Sequence, residues 1–222
     1  MPQRKSARSK HPQQGESRWP ATLAVIVALA LYLSLPSKLV VGPRWVLPAL
    51  EAALLVPLVI GAPWRHAAER RIARVGSLGL IALVNLANVI SLGLLVSYLV
   101  GGGQAGGREL IISAVEIWLT NVLIFGLWYW EIDRNGPVRR DQANPGLPDF
   151  LFPQMANPHI APANWRPLFI DYLYVSLTNG TAFSPTDTMP LTSRVKALMG
   201  LQAMASLITV ALVAARAVNI LS

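Results

Sequence analysis

Apolar residues come in long uninterrupted blocks along this chain, each about the size of a membrane crossing. No residue from Trp19 to Ser37 is charged. A first helix is predicted over residues 21–41, matching the ~20 residues that cross ~30 Å of hydrocarbon. The block is long and no A-x-A cleavage pattern stands near its end, so it reads as a retained helix rather than a signal peptide. Residues 45–62 predict a second segment, with Glu51 near one end and a kink at Pro57. After a basic connector over 65–74, no charge appears until Arg108, which predicts a third helix over 75–100 and a Gly-rich loop. A fourth is predicted over 109–131, ending in Trp128, Tyr129 and Trp130 as an interfacial belt. Residues 133–166 carry Pro137, Pro145, Pro148, Pro153, Pro158 and Pro162 and predict an irregular linker. Its apolar residues Phe150, Leu151, Phe152, Met155 and Trp165 belong on the bilayer interface or against the helix ends. The chain is predicted to return to the membrane over 167–184, turn at 185–190 and finish as a helix over 192–221.

The fold class is therefore all-α, a polytopic transmembrane helix bundle of about six membrane segments. It divides into a disordered basic tail (1–20), a four-helix transmembrane region (21–132), the linker (133–166), and a hairpin with the final helix (167–222).

Composition sharpens this picture. With 53% apolar and 14% charged residues and a mean hydropathy of +0.45, the chain lacks the charge that covers a soluble domain. A net charge of +8 would suggest nucleic acid if it formed one patch, but the basic residues lie between apolar blocks, so no nucleic-acid partner is expected. They mark the cytoplasmic side instead. With the tail inside, Arg4, Lys5, Arg8, Lys10, Arg18, the connector arginines and Arg134, Arg139, Arg140 and Arg166 face the cytoplasm, against Lys38, Arg44 and Arg108 outside. Both termini are then cytoplasmic, provided that 167–184 crosses fully. The same basic loops are expected to meet anionic lipids of the bilayer. The absence of cysteine removes disulfide and thiolate chemistry.

Polar side chains inside membrane segments are the natural functional candidates, because lipid offers them neither partner nor water. Asn85 and Asn88 share a helical face with Ser77 and Ser91; Glu116 shares one with Ser113 and Thr120; and Gln202, Ser206, Thr209 and Arg216 share one on the last helix. The simplest arrangement points all three stripes into a common interior. Glu116, two turns into its helix, must pair, protonate or face water. Asn, Ser, Thr and Gln also serve as interhelical glue worth ~0.6 kcal/mol each.

The stretch 171–187 begins aromatic and ends polar, with Asp171, Thr178, Asn179, Gly180, Thr181, Ser184, Thr186 and Asp187. Polar backbone of this kind survives at membrane depth only when buried in protein or lining water. Through Tyr174, Ser176, Thr178, Thr181, Asp187 and Pro190 the segment resembles the pore helix, filter and inner helix of two-helix potassium-channel modules. Where those have Val-Gly-Tyr-Gly, this chain has Ala182, Phe183, Ser184 and Pro185, so the resemblance does not carry potassium selectivity. Tyr174, Thr178, Gly180, Thr181, Phe183, Ser184 and Asp187, followed by Thr192, Ser193 and Arg194, resemble the pattern of a family of uncharacterised bacterial membrane proteins with a domain of unknown function, which implies a bacterial plasma-membrane location and no established activity.

The functional expectation is a channel-like permeation or binding element in residues 167–221, in a homo-oligomer, with Thr178, Asn179, Thr181, Ser184 and Asp187 lining the turn and Gln202, Ser206 and Thr209 the path below. Alternatives are a non-conducting scaffold whose polar groups bind helix to helix, and a small-solute transporter driven by Glu116 protonation. No enzyme and no cofactor are expected. The G-x-G-x-x-G at Gly101, Gly103 and Gly106 lacks a βαβ setting, and His11, His66 and His159 are too scattered to build a metal site.

Overall fold

The structure, a computed structural model, describes residues 18–40, 42–43, 45, 49, 67–101, 107–140, 142, 144, 146–162, 165–181 and 187–221. The second predicted segment lies outside them apart from Trp45 and Ala49, as do residues 1–17 and Ser184.

Seven α-helices appear among the described residues: α1 (Trp19–Ser34), α2 (Ala67–Val100), α3 (Gly107–Ile132), α4 (Pro137–Arg140), α5 (Pro153–Ala156), α6 (Phe169–Thr181) and α7 (Ser193–Leu221). Three are long and apolar enough to cross a membrane, over Arg74–Val100, Gly107–Asn135 and Ser193–Arg216. α1 starts with Pro20 in its first turn, where the missing N–H is not needed. It stops at Ser34, earlier than expected, because Pro36 forces Leu35 out of the helical region to φ −59°, ψ 142°. Prolines shape the linker in the opposite way. No regular helix was expected there, yet α4 and α5 are single turns that each begin at a proline, Pro137 and Pro153. A proline at the first helical position loses no hydrogen bond, so it starts a turn where it would break an interior one.

α3 is the hub. It is apolar on nearly every face, which suits a helix surrounded by protein, and α1, α2, α6 and α7 all pack on it. Each runs antiparallel to it. Ala21, Ala24 and Ala28 of α1 and Leu80, Ile81 and Val84 of α2 share a core with the second half of α3, while Tyr32, Leu92 and Leu95 share one with Leu110, Ala114 and Ile117 near its start. The pairs Tyr172 with Asp133, Ser176 with Val122 and Gly180 with Trp118 run down α6 and back along α3. The pairs Arg194 with Ile132 and Ser206 with Asn121 do the same for α7.

α6 and α7 therefore both begin at the end where α3 stops. The chain between Thr181 and Ser193 comes back to that end, where β1 (Phe150–Leu151) pairs antiparallel with β2 (Met189–Pro190). The sequence left open whether this segment crosses fully or dips in and returns; α6 covers only part of the length of α3 before the chain is back at the end where it entered. α6 has 13 residues, about 20 Å at 1.5 Å each, against ~30 Å of hydrocarbon.

Gly126 lets α6 approach α3 closely, since a Cβ there would stand 3.2 Å from the Cα of Leu173. At the shared end, the linker folds against the helix ends. Phe150, fully buried, packs its ring edge-on to Tyr129 at 5.2 Å and Tyr172 at 5.9 Å, and Phe152 meets Tyr172 at 5.3 Å and Trp165 at 5.8 Å. Each such aromatic pair adds about 0.5–1.5 kcal/mol beyond its area. The aromatic belt expected at 128–130 is in part core, because Tyr129 and Trp130 lie under this cap.

Candidate functional site

Two polar clusters occupy the contact of α3, α6 and α7. The deeper one centres on Gln202, which has no exposed surface. Its Nε2 donates to the carbonyl and hydroxyl oxygens of Ser176 at 2.8 and 2.7 Å. Its Oε1 accepts from the Tyr129 hydroxyl at 2.6 Å and from Asn179 Nδ2 at 2.9 Å. A primary amide has two donor hydrogens and one acceptor oxygen with two lone pairs, so no capacity is left over. The neighbours are equally engaged. Asn179 Nδ2 also donates to Met199 O at 2.9 Å, Ser176 Oγ donates to Val122 O at 2.7 Å, and Asn121 Nδ2 donates to Ser206 Oγ at 3.0 Å.

The second cluster lies where α3 ends. Arg134 and Asn135 have φ of 51° and 64°, and Gly136 has 99°. Two successive non-glycine residues in the left-handed region cost energy, and Gly136 sits where a Cβ would approach Glu131 Oε2 at 3.1 Å. This turn aims the Arg134 N–H at Asp149 Oδ2, 3.0 Å away. The same carboxylate accepts a forked pair from Arg194, Nε to Oδ1 at 2.9 Å and Nη2 to Oδ2 at 2.6 Å, and the Thr192 hydroxyl at 2.7 Å. Asp133, 1% exposed, accepts the Asp149 N–H at 2.7 Å and the Tyr172 hydroxyl at 2.6 Å. Arg140 donates to the carbonyls of Trp130 and Asp133 and stacks over the Tyr172 ring at 5.0 Å. Burial alone would push the Asp149 carboxyl upward. The hydrogen bonds from Arg194, Thr192 and the Arg134 main chain, with the Arg194 charge, outweigh it and hold the carboxyl below its ordinary range. The result is a clasp tying the linker to the starts of α6 and α7.

The structure brings some sequence candidates together and separates others. Asn179, Gln202 and Ser206 meet in the inner network. Thr178, Thr181 and Thr209 return their hydroxyls to their own helices, at Val175 O, Leu177 O and Ala205 O. Asp187 is exposed. Asn88 is buried on α2 without joining the network, and Asn85 Oδ1 is buried without a hydrogen-bond partner. Ser91 of α2 and Ser113 and Thr120 of α3 are buried as well. Asp171 Oδ2 accepts the Leu168 N–H at 2.7 Å as a cap of α6. Glu116 is half-buried in an open groove of about 440 Å³ with Ser34, Pro36, Arg108, Glu109, Ile112 and Ser113. Its position on α3 lies about 25 Å before Asp133, counting 1.5 Å per residue, so it cannot pair with Asp171 at the far end.

Tyr129, Ser176, Asp133, Asp149 and Arg194 were not candidates from sequence. Asp133, Asp149 and Arg194 flank apolar blocks, where charges ordinarily face water, and Tyr129 sat within an aromatic run. Comparison with known proteins finds no matching family model, no matching curated protein and no matching solved structure.

Two outcomes follow for these clusters. Gln202→Leu leaves the Tyr129 hydroxyl and one hydrogen of the Asn179 amide without an acceptor, each at about 1–3 kcal/mol, and lowers the thermal unfolding midpoint in detergent well below that of Ser206→Ala. Because the Asp149 carboxyl is held low in the fold, the clasp is complete at neutral pH and fades only as pH falls through the ordinary carboxyl range toward that lower value. The Leu191 N–H, which donates to Asp149 O at 2.8 Å, loses hydrogen-exchange protection over that acid range in the wild type. In Asp149→Asn it is poorly protected already at neutral pH, with little further pH dependence.

Proposed function

We propose that the chain is a non-conducting integral membrane protein, a helical scaffold that presents a folded cap at one membrane surface. The observation that carries this reading is the saturation of the inner network. Gln202 and Ser206 have no exposed surface and Thr209 is 3% exposed, and each side chain bonds inside the protein. A permeating ion needs oxygens that can replace its hydration shell, and these oxygens are already in use. The outward face of α7 is apolar instead, with Leu201, Met204, Leu207 and Val210 exposed, which suits lipid.

In this reading α1, α2, α3 and α7 cross the bilayer and α6 enters about two-thirds of the way. α1 and α7 begin at the same end, so residue 18 and the end of α7 lie on opposite sides of the membrane. The end carrying Arg18, Arg74, Arg134, Arg139, Arg194 and Lys196 faces the cytoplasm by the distribution of basic residues. The C-terminus then faces away from it, unlike the arrangement expected from six full crossings.

One observation favours a second, channel-like reading. A half-length helix between two long ones, with the chain returning to the side it entered, is the course of the potassium-channel module that the sequence resembles. Conduction would then require an oligomer.

Liposome flux separates the two. Vesicles containing the purified chain stay tight to ions and protons, and Gln202→Leu and Asp187→Asn leave them tight; wild-type flux altered by either substitution overturns the scaffold in favour of the channel. The topology has its own test in this cysteine-free chain. A membrane-impermeant maleimide added to intact cells labels Ser222→Cys, while Ser9→Cys reacts only after permeabilisation, and labelling of both from one side would refute the arrangement.

A further inference from the structure

We propose that the end of the bundle where α3 stops binds the headgroups of anionic phospholipids in the adjoining leaflet, through Arg139, Arg194 and Lys196. The proposal rests on the membrane-embedded reading above and adds to it a partner and a surface.

Charge at this end is separated by depth. Among the described residues, three carboxylates here are turned inward: Glu131, Asp133 and Asp149 are 3%, 1% and 2% exposed. Asp133 and Asp149 are occupied by Tyr172, Thr192, Arg194 and main-chain N–H groups. Glu131 lies in the field of Arg18, Arg74 and Arg140 and accepts a hydrogen bond from Ser77. The cations point the other way. Arg139 and Lys196 are exposed, and half of the Arg194 side chain is exposed although its Nε and Nη2 grip Asp149. Among the described residues, two carboxylates temper this surface: Asp171, half-buried and engaged as a helix cap, and Asp187, exposed two residues before β2.

The opposite end lacks this sorting. There Arg108 shares one groove with Glu109 and Glu116, and Lys38 sits over the Tyr98 ring at 5.3 Å. A phosphodiester headgroup lies at the height where transmembrane helices end, carries a full negative charge, and offers oxygens that guanidinium and ammonium donors match. Asp149 holds the Arg194 side chain at the start of α7, so that group needs little ordering on binding, and Arg139 stands on the single turn α4 beside the buried Arg140.

The test uses the intact chain in phosphatidylcholine vesicles that contain either brominated phosphatidylglycerol or brominated phosphatidylcholine, with tryptophan quenching as the measure of lipid contact. Trp130 and Trp165 lie at this end of the fold. Quenching favours phosphatidylglycerol, and the preference falls as salt rises. The double variant Arg139→Gln with Lys196→Gln loses most of it, at roughly fivefold per charge removed. Lys38→Gln with Arg108→Gln, at the other end, retains it, and circular dichroism verifies that each variant keeps its helices. Equal quenching by the two lipids, or a phosphatidylglycerol preference that survives the Arg139 and Lys196 substitutions, overturns the proposal while leaving the scaffold intact. A chain that does not enter phosphatidylcholine vesicles overturns the membrane reading and this proposal together.

Discussion

A buried amide surrounded by helices has no water to turn to, so each of its hydrogen-bonding positions must be met by protein or left at a cost of about 1–3 kcal/mol. Gln202 meets all of its own with Ser176, Tyr129 and Asn179. Those partners lie on α3 and α6, and with Gln202 itself on α7 their placement fixes how the three helices sit against one another. In lipid the hydrophobic effect does not press helices together. Close approach at Gly126 and Gly180 and the directional bonds around Gln202 do that work instead.

The same requirement explains the cap. α6 is too short to span the bilayer, so its ends cannot both reach water at opposite surfaces. Its first turn is capped by Asp171 and held at the end of α3 by Tyr172 on Asp133, while Asp149 ties the linker to Arg194 at the start of α7. The left-handed residues Arg134 and Asn135 are where the chain leaves α3 sharply enough to deliver a main-chain N–H to Asp149. The strain of that turn is offset by a carboxylate with four donors.

Together the two clusters leave a molecule that is polar inside, apolar around its flank and cationic at one end. That distribution is what connects fold to function here. The inward polar groups bond helix to helix, the apolar flank is of the kind that suits hydrocarbon, and the capped end carries the cations on which the proposed lipid contact rests.

Much of the helical architecture was legible in the sequence. The long apolar blocks of α2, α3 and α7 announce themselves because a helix that crosses lipid must satisfy its backbone within itself and be apolar over ~20 residues, and both properties are local. The prolines that end α1 and start α4 and α5 act within a residue or two. What the tertiary structure decided was direction and partnership. Nothing near residue 202 in the chain says that its amide meets Tyr129, 73 positions away. The pattern at 167–184 leaves a full crossing and a return both open, because its aromatic first half suits either and only the partners of α6 and the β1–β2 pair show where the chain goes next. A stripe of polar residues at helical spacing fits a wet path and a dry seam equally well. Only the neighbours across the interface decide which it is, and here they fill every hydrogen-bonding position of Gln202.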